Sequence, residues 1–273
     1  MKTDSEIVGI VLVKNEDIFI ETVLTNILGF CDRIIVADNN STDNTSEIAE
    51  TLDSQHSKIE YHQISKLSIS HELIKDYAGK NVLIFAADGD DIYDPGRLIK
   101  FRKELLAGFY YKWWMIFGNV LNCTNLDIKS RTAEGYLAPP CRSMTKLYNF
   151  GAIESWHESS GERLHGGAVQ FKDGYDKSLR LSLHEQVSWD DALFRCLHMC
   201  FLQRSSLQKS INGSILPRPN PADIMSRTLI QRFKNRIDRL LGKPDSGKDE
   251  WKIEKFTRGE IVEKDVSAFF PTS

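Results

Sequence analysis

The first hundred residues alternate short apolar runs with segments of helical periodicity, and this alternation constrains the fold more than any other feature. The runs at residues 7–13, 33–38 and 81–87 are rich in Val, Ile, Leu and Ala, and residues 58–64 form a weaker third strand. A continuous apolar run of that length reads as a strand covered on both faces. Between the runs, residues 16–28 place Ile18, Val23, Ile27 and Leu28 at helix-like intervals, and Asp43 opens a second helical segment through Ile48 and Leu52. A third segment covers residues 68–77 with Gly79 as its stop, and Pro95 opens a fourth helix at its first turn. Strands linked by helices form β-α-β units, so the expected class is α/β, a mostly parallel sheet flanked by helices.

Beyond residue 108 the alternation breaks down. Residues 108–127 are aromatic and apolar, and residues 143–150 read as one more strand. Pro139-Pro140, Gly151, Gly161 and Gly166-Gly167 mark long irregular connections. A helix is expected over residues 188–204. Pro217, Pro219 and Pro221 then separate the main body from a last helix near residues 223–241. With 273 residues, one large domain and an appendage are expected. A net charge of −3 argues against a surface built throughout for nucleic acid. The apolar stretch at 113–121 is far below the roughly 20 residues of a spanning helix, and the N-terminus lacks a signal-peptide pattern, so a cytoplasmic location is expected. Cys31, Cys123, Cys141, Cys196 and Cys200 form an odd set without a Cys-x-x-Cys pair, which argues for buried reduced thiols rather than disulfides or structural zinc.

Three of the strands end in polar residues: Lys14-Asn15-Glu16, Asp38-Asn39-Asn40-Ser41-Thr42-Asp43, and Asp88-Gly89-Asp90-Asp91. In an open parallel sheet, ligands bind beyond the carboxyl ends of the strands. Asp88, Asp90 and Asp91 repel one another unless solvent or a cation intervenes, and a divalent metal resolves that conflict. Hard oxygen ligands suit Mg2+ or Mn2+. Gly89 lets backbone or substrate come close. The competing reading is an ordinary Asp-Gly turn.

Val-Leu-Val-Lys-Asn-Glu after the first strand, Val-Ala-Asp-Asn-Asn-Ser-Thr-Asp-Asn-Thr after the second and Ile-Phe-Ala-Ala-Asp-Gly-Asp-Asp after the fourth resemble the family 2 glycosyltransferases. The resemblance covers about residues 7–105 and implies the GT-A fold. It also implies transfer of a sugar from a nucleotide-diphosphate sugar to an acceptor hydroxyl with inversion, in bacterial surface polysaccharide or glycan synthesis. Residues 1–215 would then be the glycosyltransferase domain, with a nucleotide-sugar half at 1–107 and an acceptor half at 108–215. Residues 216–273 would be a basic helical extension. By the same resemblance Asn15, Glu16, Asp38, Asp88 and Arg204 would bind the donor, and Asp88 and Asp90 match the Asp-x-Asp motif that reaches the metal. Asn40 replaces the usual Gly of the second motif, a tolerable change because Asn accepts left-handed backbone. Ser70-His71-Glu72 stands where family members often carry an Arg.

An inverting reaction implies a general base for the acceptor hydroxyl. Asp190-Asp191 resembles the family's acidic pair, with Asp191 as the expected base and Asp190 or Glu185 as its alternatives; helix capping is the competing reading. On an expected helix, His198 falls two turns beyond Asp191 on the same face and would reach the metal. Arg204 would hold the diphosphate. Trp156, Glu158 and His165 lie where a sugar acceptor would sit, against the reading of a solvated polar loop. From Arg204 to Lys243 nine basic residues face two acidic ones. Met225, Leu229, Phe233, Ile237, Leu240 and Leu241 form an apolar stripe, so this helix suits either an anionic membrane surface or packing on protein. The rival functions are a nucleotidyltransferase and a catalytically silent sugar-binding or scaffold protein. The first would call for a Gly- and Lys/Arg-rich triphosphate loop after the first strand, and residues 13–16 contain no glycine.

Overall fold

The structure, a computed structural model, describes residues 5–143, 145–157, 164, 167–207 and 255–271. The first half follows the alternation of the sequence: β1 (Glu6–Val13), α1 (Ile20–Ile27), β2 (Arg33–Asp38), α2 (Thr45–Gln55), β3 (Ile59–Gln63), α3 (Ile69–Glu72), β4 (Val82–Asp88), β5 (Asp91–Tyr93) and α4 (Pro95–Leu106). The second half is mostly strand: β6 (Met115–Phe117), β7 (Asn119–Asp127), β8 (Thr132–Leu137), β9 (Lys146–Asn149), β10 (Ile153–His157), β11 (Ala168–Phe171), β12 (Arg180–Ser182), a short α5 (Leu183–Gln186), β13 (Arg195–His198) and β14 (Ile261–Asp265).

Seven strands form the main sheet in the order β12-β6-β9-β4-β1-β2-β3. β1 pairs in parallel with both β2 and β4, and β2 with β3, as crossover helices require; β9 enters antiparallel between β4 and β6. Because strand side chains alternate between faces, the two sides of β1 serve different cores. Ile7, Val11 and Val13 pack with Val23, Leu24, Leu52, Leu98 and Phe101 of the flanking helices. Val8 and Ile10 pack with Trp114, Tyr148 and Trp156 on the other face. This is the mostly parallel, helix-flanked α/β sheet expected from the sequence. A second sheet, β14-β8-β7-β13-β5, stands beside it, and β10-β11 form a two-stranded ribbon.

Three expectations are corrected. The helix expected at 68–77 is only α3 followed by a 3-10 turn at Lys75–Tyr77. The helix expected at 188–204 does not form: β13 lies there, between β7 and β5, with every residue from Arg195 to His198 buried. The run from Ala192 to Cys200 is apolar at most positions, and so compact a run fits a strand enclosed on both sides as well as it fits a helix. Residues 255–271 are not part of a separate extension. β14 pairs along β8 from Ile261↔Tyr136 to Asp265↔Thr132, Phe269 is fully buried, and its ring stacks on Trp189 at 5.8 Å. The basic helix expected at 223–241 lies outside the described residues. All five cysteines are buried and unbridged, as expected, and burial pushes the Cys31 and Cys123 thiols well above their ordinary range.

One buried ion pair joins the start of α4 to β13 of the second sheet. The Asp94 side chain caps α4 by accepting from the Arg97 N–H at 3.0 Å, and its other oxygen accepts from Arg195 at 2.7 Å. The Arg195 guanidinium lies 5.2 Å from the ring centroids of both Trp189 and Phe269, so it also fastens the C-terminal segment. Asp94→Ala removes the cap and leaves Arg195 buried without its carboxylate. The expected loss of stability is about 3–5 kcal/mol, read from the shift of the urea unfolding midpoint; a change below about 1 kcal/mol would show that the pair does not hold β13 against the start of α4.

Candidate active site

The parallel register aligns the polar strand ends. Val13 pairs with Asp38 and Leu12 with Asp88, so the loops after β1, β2 and β4 leave the main sheet at one edge. The first two loops clasp each other. Asn15 donates its N–H to Ser41 Oγ (2.9 Å) and accepts from the Thr42 N–H (2.6 Å), while the Glu16 N–H donates to Thr45 Oγ1 (2.7 Å). Asn15 and Asn40 take positive φ values of 53° and 54°, the left-handed backbone that Asn adopts more readily than most residues. Asp38 is fully buried and accepts from the Ser41 N–H, Ser41 Oγ, Ser46 Oγ and Tyr61 Oη at 2.5–2.9 Å. Four donors saturate a carboxylate. These bonds tie Asp38, the residue the sequence placed at the nucleotide, into the loop after β2.

The acids after β4 form the centre of the site. Asp90 and Asp91 are each 2% exposed and His198 8%, and one ligand atom from each lies within 4.8 Å of the others. β13 pairs antiparallel with β5 so that His198 stands opposite Asp91, and its Nε2 lies 3.9 Å from Asp90 Oδ2. Two carboxylate oxygens and one imidazole nitrogen fit a divalent ion that accepts mixed O and N ligands, Mn2+ more readily than Mg2+. Asp88 stands beside the cluster, its N–H donating to Asp91 Oδ2 at 3.2 Å. Glu16 adds a further buried acid. A Cβ on Gly89 would fall 2.1 Å from Glu16 Oε2 and 2.8 Å from Val13 Cγ1, so the glycine of the Asp-Gly-Asp turn admits the Glu16 carboxylate.

Arg204 balances these charges. Its Nη1 donates to Asp90 Oδ2 at 2.5 Å and lies 3.6 Å from Glu16 Oε1. Burial disfavours the guanidinium charge, but Asp90 and Glu16 outweigh that effect and raise its pKa above the ordinary arginine value. A strap around Arg204 is fastened to both nucleotide-side loops. The Arg204 carbonyl accepts from the Ile18 N–H (3.2 Å), Ser205 Oγ donates to Asp43 Oδ2 (2.5 Å), and the Ser206 N–H donates to Asp17 Oδ1 (2.7 Å). Burial raises the Asp43 carboxyl, but the hydrogen bonds from Ser205 and Thr45 hold it below the usual range.

The remaining expected residues are not brought here. Asp190 and Asp191 lie in an exposed turn before β13, at the end of that strand opposite His198. Asp191 accepts from Ser188 Oγ at 2.7 Å, Asp190 pairs with Lys264 at 3.2 Å, and the Asp190 carbonyl accepts from Arg97. Four strand residues separate the two ends of β13 by about 10 Å. The helix that was to align Asp191 with His198 is absent, which removes the geometric ground for Asp191 as base. Glu185 is exposed on α5. Trp156 is corrected as an acceptor platform: it is 4% exposed, packed among Trp114, Tyr148 and Phe150. Glu158 and His165 lie outside the described residues. Sequence reasoning missed Asn122, whose role depends on contacts between segments far apart in the chain.

The sequence profile described as Glycosyl transferase family 2 matches residues 10–177, which includes the loops after β1, β2 and β4. The chain belongs to this family. Among solved structures, glucosyl-3-phosphoglycerate synthase from Mycobacterium tuberculosis, in complex with Mn2+, UDP-glucose and phosphoglyceric acid, is 17% identical with a TM-score of 0.39; the match covers 89% of this chain and 82% of that one. S. aureus TarS 1–349 is 15% identical with a TM-score of 0.39, covering 70% and 57%. The mannosyltransferase PcManGT from Pyrobaculum calidifontis, in complex with GDP-Man and Mn2+, is 19% identical with a TM-score of 0.32, covering 44% of this chain. The glycosyltransferase spans only 36% of the length of PcManGT. No curated protein matches it.

If Arg204 is the cation that reconciles the buried acids, Arg204→Gln leaves Asp90 and Glu16 in mutual repulsion. The melting temperature is expected to fall, and millimolar Mn2+ should recover more of it than the ion adds to the wild type. Equal Mn2+ shifts in the two proteins would show that Arg204 and the divalent ion answer to different charges.

Proposed function

We propose that this glycosyltransferase moves one sugar from a nucleotide-diphosphate sugar to an acceptor hydroxyl with inversion, in a divalent-metal-dependent reaction. The observation that carries the reading is the buried Asp90–Asp91–His198 cluster at the carboxyl ends of the parallel strands, facing Arg204. A divalent ion held there would supply Lewis-acid stabilisation of the charge that develops on the departing nucleotide. The chain's own groups divide the rest of the work. Asp90, Asp91 and His198 Nε2 hold the ion. Asn15 and Glu16 fix the loop after β1 beside the donor, and Asp88 orders the acidic turn. Arg204 offers a planar fork to the diphosphate oxygens in exchange for Asp90. The acceptor class that the motif resemblance supports is a bacterial surface polysaccharide or related glycan.

Donor and metal are tested together. A panel of UDP-, GDP-, CMP- and dTDP-sugars with Mn2+ should contain one donor that raises the melting temperature, because a ligand at about 100 times its Kd adds roughly 2.7 kcal/mol to native stability. Asp90→Asn should abolish that donor-dependent shift and nearly all sugar transfer while the protein remains folded by circular dichroism. Full transfer by Asp90→Asn, or by wild type in excess chelator, would overturn the metal-dependent reading.

We also propose that residues 223–241 attach the enzyme to an anionic membrane surface; the support is the basic excess and apolar stripe of the sequence. Among the described residues no helix is long and apolar enough to cross a membrane. Truncation is a poor test, because β14 and Phe269 belong to the body. Replacing Arg232, Lys234, Arg236 and Arg239 by Gln should release the protein from phosphatidylserine vesicles, and raised salt should weaken wild-type binding. Undiminished vesicle binding by the variant would leave the helix to pack on protein.

A further inference from the structure

The second sheet carries a row of residues that runs from the acid cluster into the interior. His198 stands opposite Asp91 across the β13–β5 pairing, Asn122 opposite His198 across β13–β7, and Tyr136 opposite Asn122 across β7–β8. Directly opposed residues on neighbouring strands project from the same face of a sheet, so the four positions form one transverse line. Asn122 is fully buried in it.

The hydrogen-bond directions along this line follow from the orientation of the Asn122 amide. The Tyr136 backbone carbonyl is an acceptor only, so the Asn122 atom facing it at 3.5 Å must be the amide nitrogen, Nδ2. That orientation turns Asn122 Oδ1 towards His198 Nδ1, at 2.8 Å. The Cys200 thiol, 3.9 Å away, also donates to Oδ1, which agrees with an oxygen at that position. An amide oxygen cannot donate, so His198 Nδ1 must carry a proton. In a neutral imidazole the other nitrogen is then the acceptor. It is Nε2 that faces Asp90.

We propose that Asn122 is a positioning residue that holds neutral His198 in its Nδ1–H tautomer, and so presents the Nε2 lone pair to a divalent ion beside Asp90 and Asp91. The inference rests on the metal reading given above for its consequence, but the tautomer is set by the sheet alone. An unprotonated Nε2 has no hydrogen to give Asp90, so this tautomer is suited to ligation and unsuited to hydrogen bonding with that carboxylate. The second hydrogen bond of a ligating histidine commonly fixes both ring orientation and tautomer, and its loss costs metal affinity.

The test begins with wild-type protein in the absence of metal. Nitrogen-15 NMR of the His198 ring, at a pH where its own shifts show it neutral, should give a protonated Nδ1 and an unprotonated Nε2. Asn122→Leu should lose that preference and bind Mn2+ about 10–100-fold more weakly by calorimetry. Asn122→Asp, which keeps an acceptor against Nδ1, should restore Mn2+ affinity. A merely structural role would not move the tautomer. An Nε2–H ring in the wild type overturns the proposal without any variant, and so does an Nδ1–H ring that persists in folded Asn122→Leu. If the wild type shows the Nδ1–H ring yet binds no Mn2+, the metal reading of the site fails while the positioning of His198 by Asn122 stands.

Discussion

The repulsion among Glu16, Asp90 and Asp91 is the constraint around which the functional end of the molecule is organised. Parallel pairing brings the ends of β1 and β4 side by side, and the absence of a side chain at Gly89 lets Glu16 come close to the turn that holds Asp90 and Asp91. Carboxylates taken out of water at such short range need a cation. Arg204 supplies one from a segment more than a hundred residues further along, and its strap of serines is then fastened to the loops after β1 and β2. The loop structure, the seat of the strap and the geometry of the candidate metal ligands all follow from that one electrostatic requirement.

The same requirement explains why the site lies across two sheets. The main sheet provides the acids and the clasped loops, and the imidazole of the cluster comes from the second sheet. β5, which leaves the acidic turn, joins the second sheet, and β13 pairs with it to bring His198 opposite Asp91. The buried Asp94–Arg195 pair lies at the other end of the same two strands and fixes their register. One end of the β5–β13 pair is therefore structural and the other chemical, and Asp190 and Asp191 fall at the structural end.

Much of the nucleotide-side half was legible in the sequence. β2 runs from Arg33 to Asp38 as its apolar pattern indicates, α4 begins at Pro95 behind an Asp cap, and the three acidic or polar strand ends meet as the parallel topology requires. Each of these is a local signal: a periodicity, a cap, or a polar turn closing an apolar run. The second half of the chain gave weaker signals. Residues 192–200 are apolar at most positions, so periodicity does not separate strand from helix there, and the choice is made by the open edges of β5 and β7. Trp156 read as a sugar platform because an aromatic in a polar segment resembles one; the neighbouring Trp114, Tyr148 and Phe150, distant in sequence, turn it into core.

The sequence by itself determined the fold class, the family and the acids of the candidate site, because strand–helix alternation and motif spacing are properties of contiguous residues. Only the tertiary structure decided which partners those acids meet. Asp38 became a loop anchor when Tyr61 and Ser46 reached it, Arg204 became the counter-charge of Asp90, and Asn122 came to direct His198. The C-terminal residues joined the body through β14 and Phe269 rather than standing apart. The physical reason is that hydrogen bonds and ion pairs between distant segments depend on register and burial, which only the assembled sheets establish.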